Sequence, residues 1–72
     1  MNKILLQILK LMETQDYIDI QECHGACYDD WWDMRLNYVS LYHSKKYGWV
    51  IVDEEGNSYR IDEHDKEWRL VL

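Results

Sequence analysis

The stretch "DDWWDMRLNYVSLYHSKK", residues 29–46, decides how the chain is read, because its residues suit a strand and its spacing suits a helix. A period of two places Met34, Leu36, Tyr38, Ser40 and Tyr42 on one face and Arg35, Asn37, Val39, Leu41 and His43 on the other, and neither face is cleanly apolar. A period of 3.6 sorts them better. Asp30, Asp33, Asn37, Ser40 and Ser44 recur at i, i+3, i+7, i+10 and i+14 as a narrow polar stripe, leaving Trp31, Trp32, Leu36, Tyr38, Val39 and Tyr42 on a wide apolar remainder. The ends agree, since Asp29 or Asp30 can cap the N-terminus, Lys45 and Lys46 suit the C-terminal dipole, and Gly48 can terminate the element. The spacing predicts a helix over about residues 30–44.

Upstream, Lys3, Gln7, Lys10 and Thr14 share one side of a helical wheel, and Ile4, Leu5, Ile8, Leu9, Leu11 and Met12 fill the rest. That pattern predicts an amphipathic helix ending near residues 14–16. "YIDI" then alternates and suits a short strand, while "QECHGAC" fits a helical turn or a loop around Gly25 equally well. Downstream, "YGWVIVDEEGNSYRID" predicts a hairpin, with strands over 49–53 and 58–62 and a turn through Glu54 and Glu55 closed by a left-handed Gly56. In that register Ile51 faces Tyr59 and Trp49 faces Ile61, so these four cover a core and Val50, Val52, Ser58 and Arg60 face away. The tail "EWRLVL" alternates Trp68, Leu70 and Leu72 against Arg69 and Val71 and reads as a further strand or an extended clamp.

The chain has 72 residues, four Trp, six Tyr, no Phe and no Pro. At that size one small domain over residues 1–72 is expected, and each large apolar side chain matters. Every large ring also carries a polar edge that needs a partner or a place at the surface. Fourteen acidic residues against eight basic ones give a net charge of −6, which repels a phosphate backbone and favours basic partners. The N-terminal apolar run is broken by Gln7 and Lys10 and is too short to span a bilayer, so a cytoplasmic chain with no membrane contact is expected.

The order helix, strand, turn, longer helix and glycine-turned hairpin resembles a winged helix-turn-helix domain. "SLYHSKKYGWVIVDEEGNSYRIDEH", residues 40–64, is similar to the junction where that family's recognition helix passes into its wing. The resemblance spans about residues 3–63 and implies a winged-helix-like α+β fold, although the family's second helix would have to fit within residues 20–27. It also implies groove-facing positions at Asp30, Asp33, Asn37, Ser40 and Ser44, with Asn37 and Ser40 placed to read bases and Lys45, Lys46 and Arg60 placed at phosphates. Asp30 and Asp33, with Glu54 and Glu55 on the wing, instead put carboxylates where a duplex would lie. The leading expectation is a non-enzymatic interaction module of winged-helix type, a regulator or inhibitor of the kind mobile genetic elements encode. It would bind a basic protein surface through Asp30, Trp31, Trp32, Asp33, Asn37, Glu54 and Glu55, with one of the two tryptophans exposed as a hot spot. The alternative is a DNA-binding regulator using Asn37, Ser40, Lys45, Lys46 and Arg60, acting as a homodimer with the tail strand as the contact.

No cofactor is expected. Cys23, His24 and Cys27 lie within five residues, and a remote His43 or His64 could complete a zinc tetrahedron, but the C-x3-C spacing has no second ligand pair. Ordinary thiols are the preferred reading. A Cys23 or Cys27 nucleophile beside His24 lacks an orienting third group, and no phosphate loop, dinucleotide fingerprint or hydrolase elbow is present.

Overall fold

Asn2 begins the first element by accepting the backbone N–H groups of Ile4 at 2.8 Å and Leu5 at 3.4 Å on its Oδ1. This cap satisfies two donors that a helix start leaves without partners. The computed structural model describes residues 2–25 and 30–72. Its elements are helix α1 (Lys3–Thr14) and strands β1 (Tyr17–His24), β2 (Asp30–Asn37), β3 (Ser40–Ser44), β4 (Gly48–Val52) and β5 (Ser58–Arg60), then a 3-10 turn (Ile61–Glu63) and β6 (Trp68–Leu70). The helix buries Leu5 and Ile8 and leaves Leu6 and Leu9 at the surface. It is too short to cross a membrane, as is any helix among the described residues.

Residues 30–44 form two strands, so the expected second helix is absent and the winged-helix resemblance is overturned. The second helix that the resemblance would have required within residues 20–27 is not found among the described residues there, because Tyr17–His24 is one strand, and residues 26–29 lie outside the described residues. The physical reason lies at Tyr38, whose φ of +51° bends the chain between β2 and β3. Met34 and Leu36 face the core before the bend, and Val39 and Leu41 face it afterwards. The inward phase therefore slips by one residue, and a single alternation through 30–44 cannot look apolar on one side. The same slip joins the outward rows Asp33, Arg35, Asn37 and Ser40, Tyr42, Ser44 into a polar pattern with nearly helical spacing.

Two antiparallel sheets result, ordered β2-β1-β6 and β3-β4-β5. One chain segment passes from the first sheet to the second at the Tyr38 corner, a common way for two packed sheets to be joined. The corner is fixed by the Tyr38 N–H, which donates to the Asp16 carbonyl at 2.6 Å, and by the Glu54 N–H, which donates to the Asn37 carbonyl at 3.1 Å. In the hairpin Ile51 pairs with Tyr59, Asp53 donates its N–H to Asn57, and Gly56 has a φ of +86°. Pairing stops at Val50 with Arg60, where the chain enters the 3-10 turn, so Trp49 does not pair with Ile61. Trp49 is 41% exposed, and Val50 is buried on the face expected to be open.

The core joins α1, both sheets and the 3-10 turn through Ile8, Ile18, Ile20, Leu36, Ile51, Ile61 and Trp68. Burying this cluster is the main favourable term for so small a chain. Two polar ties lock the sheets together. The Trp68 indole N–H donates to the Arg60 carbonyl at 2.8 Å, and the Tyr59 hydroxyl donates to the Glu22 carboxylate at 2.9 Å. β6 supplies the expected tail strand and lies beside β1.

Candidate protein-interaction surface

Alternation along β1 and β2 gives their sheet an outer face on which side chains pair with one another. Arg35 donates Nε and Nη2 to the Asp19 carboxylate at 2.7 and 3.1 Å and lies 4.0 Å over the Tyr17 ring. That hydrogen bond, more than the charge itself, holds the Asp19 carboxyl below the usual range for an aspartate. Gln21 donates to Asp33 at 2.9 Å and accepts from Arg69 at 2.8 Å, and Arg69 lies 4.0 Å over the Trp31 ring. Trp31 is thus half-buried beneath a guanidinium.

The inner face changes character along its length. Leu36 and Met34 meet Ile18 and Ile20, but the row then continues through Trp32 and Asp30 against Glu22 and His24. At this end the Trp32 ring stacks on His24 with centroids 4.2 Å apart, and its indole N–H donates to the Asp30 carboxylate at 2.9 Å. His24 Nε2 lies 3.3 Å from Glu22, which also accepts the Tyr59 hydroxyl. Burial, followed by the Glu22 carboxylate, pushes the Tyr59 phenol above its ordinary value. Trp32 remains 55% exposed, so a large ring is held in place and offered to solvent. The sequence left open which tryptophan is exposed. It is Trp32, because Arg69 covers Trp31.

The remaining expected partner-binding residues do not gather here. Asp33 points to the outer face, opposite to Asp30 and Trp32. Asn37 ends β2 at the corner, about 23 Å from Asp30 by strand rise, and the exposed Glu54 and Glu55 lie beside it. The acidic hairpin tip and the Asp30–Trp32 end are therefore separate surfaces, because a strand spreads along its length what a helix would have stacked. Of the residues expected at nucleic acid, Ser40 faces outward on β3 and Lys45 and Lys46 are exposed in the turn after it. Arg60 is held by Asp62 at 3.0 and 2.8 Å and lies 4.5 Å over the Tyr47 ring.

The zinc reading meets an obstacle of direction. Cys23 and His24 are adjacent on β1 and point to opposite faces, while Cys27 lies outside the described residues. His43 sets its ring edge-on to Trp49 at 5.1 Å. His64 accepts the Leu70 N–H on Nε2 at 3.0 Å and has Nδ1 3.2 Å from Asp65. Among the described residues no group of three or more His, Cys, Asp or Glu could hold a metal. A cleft of about 460 Å³ between β5 and β6 is lined by Glu22, Cys23, Tyr59, Arg60, Glu63 and Trp68 among others. Its Tyr59, Arg60 and Trp68 donors are already used in the pairs described above.

No protein family, curated protein or solved structure matches the chain.

Proposed function

We propose that the chain is a non-enzymatic protein-interaction module that captures a basic partner through the Trp32 end of its first sheet. The observation that carries this reading is the exposed indole held between the His24 ring and the Asp30 carboxylate. A tryptophan fixed before binding loses little rotamer freedom when a partner covers it, and such residues dominate interface energetics. Glu22 and Asp30 beside it, on a chain of net charge −6, select Lys- or Arg-bearing surfaces and steer their approach. Covering such a surface is how a chain of this size regulates or inhibits a larger protein. A cytoplasmic location belongs to the same proposal and rests on two cysteines being too few for a disulfide framework. Duplex binding has less support, because Arg60 is neutralised by Asp62 and a specific DNA module engages several phosphates.

An array of labelled Lys- and Arg-containing peptides, read by fluorescence anisotropy, tests the surface. Trp32→Ala should weaken the best peptide about tenfold or more, as loss of a hot-spot tryptophan does. Trp31→Ala, on the opposite face, should leave it within about twofold. Equal losses from the two variants, with circular dichroism unchanged, contradict the assignment.

A further inference from the structure

The partner's chain conformation is also written into β2, and this step rests on the proposed surface at Trp32. β2 is one of the two outer strands of the order β2-β1-β6. The direction of its backbone groups follows from bonds at its neighbours. The Asn37 carbonyl accepts from Glu54 at 3.1 Å and so points away from β1. Groups alternate along a strand, so Trp31, Asp33 and Arg35 turn their N–H and C=O the same way. β1 gives the same answer independently. The Cys23 N–H donates to the Glu67 carbonyl at 2.9 Å and the Asp19 carbonyl accepts from Val71 at 3.0 Å, both on the side of β6. Their cross-strand partners Trp31 and Arg35 therefore sit in pairs that exchange no bonds with β1. Three residues of β2 thus present backbone donors and acceptors outward, and no described residue takes them up.

The side chains along that edge are sorted by face. On the inner side are exposed Trp32 and half-buried Met34. On the outer side Arg35 is neutralised by Asp19, whereas Asp33 accepts from the neutral Gln21 and pairs with no cation among the described residues. An incoming strand therefore finds apolar surface opposite positions 32 and 34 and an uncompensated carboxylate between them. We infer that the partner contributes an extended segment that adds to β2 as a fourth strand, with a Lys or Arg opposite Asp33 and apolar residues opposite Trp32 and Met34. Backbone bonds supply affinity in this mode, and alternate side chains supply selection. A second copy of the chain is a poorer occupant, since each brings a charge of −6. Charged residues along an exposed edge deter such self-pairing while still admitting a complementary strand.

The probe is a blocked seven-residue peptide alternating valine and lysine, compared with the same peptide N-methylated at the amides that would face β2. Methylation removes donors without altering charge, so affinity should fall about tenfold. Binding of the unmodified peptide should also slow hydrogen exchange at the Trp31, Asp33 and Arg35 amides, and Asp33→Lys should reverse the preference toward an alternating valine–glutamate peptide. Equal affinity for the methylated and unmodified peptides overturns strand addition while leaving the Trp32 surface standing. Binding that is sensitive to methylation but indifferent to Trp32→Ala overturns that surface instead. Protection of the same three amides with rising protein concentration and no peptide overturns the inference in favour of a second copy.

Discussion

β1 and β2 are both eight residues long and pair residue for residue from Tyr17 with Asn37 to His24 with Asp30, yet they play opposite parts. β1 has a strand on each side and sinks Ile18 and Ile20 completely. β2 carries the bulkier side chains, two tryptophans and a methionine, and buries only Leu36. Hydrophobic content alone would assign the core to the wrong strand. What decides is the return of β6 to the far side of β1, which makes one strand central and leaves the other as an edge with backbone groups and an indole to offer.

The contrast can be broken most forcefully by truncating one side chain on each strand. Ile20→Ala should cost about 3 kcal/mol in urea denaturation, because it empties a fully buried site, whereas Met34→Ala, half-covered on β2, should cost about 1 kcal/mol. Similar costs would mean that β2 is covered in solution, which would remove the free edge. A smaller effect sharpens the role of β1 in joining the two sheets. Tyr59→Phe deletes the hydroxyl that binds Glu22 and should cost about 1 kcal/mol near neutral pH. The fold favours the neutral phenol, so this stability is complete below the ordinary tyrosine value of about 10. It declines as pH rises beyond that, where the unfolded chain ionises first. Parallel denaturation curves of the two proteins above that pH should converge, and a constant gap would exclude the linkage. The smallest effect concerns the outer-face pair between the strands. Asp19 is held low by Arg35, so its contribution is present above the ordinary carboxylate range and is lost as pH falls through the folded value. Both groups are exposed, which limits the effect to a slight drop in melting temperature for Asp19→Asn at pH 7 that disappears under strongly acidic conditions.

Local patterns made part of this fold legible. The first helix shows in the spacing of Leu5 and Ile8, and the hairpin register from Ile51 with Tyr59 to Gly56 follows from turn chemistry. Residues 30–44 were opaque because Tyr38 interrupts the alternation with a left-handed backbone that nothing in its residue type announces; glycine or asparagine would have done so. The site suffered from the same error. Placing Asp30, Asp33 and Glu54 together required a helix, and once the segment is extended Asp33 turns to the other face and Glu54 moves to the far end. Trp31 and Trp32 could not be ranked by sequence, since the residue covering Trp31 is Arg69. Asp19 and Gln21, outward positions in "YIDIQ", were the available hint that a polar face lay across from β2.

The pairing of β6 with β1 also bears on how the chain is made. Gln21 and Arg69, 48 residues apart, meet across that ladder. Until the ribosome has released Leu70, β1 has one side empty and Trp68 has no seat, so in a nascent chain stopped earlier the strand that carries Ile18 and Ile20 is itself an edge. Closure over so long a stretch of chain slows folding and leaves apolar surface exposed until the two strands meet.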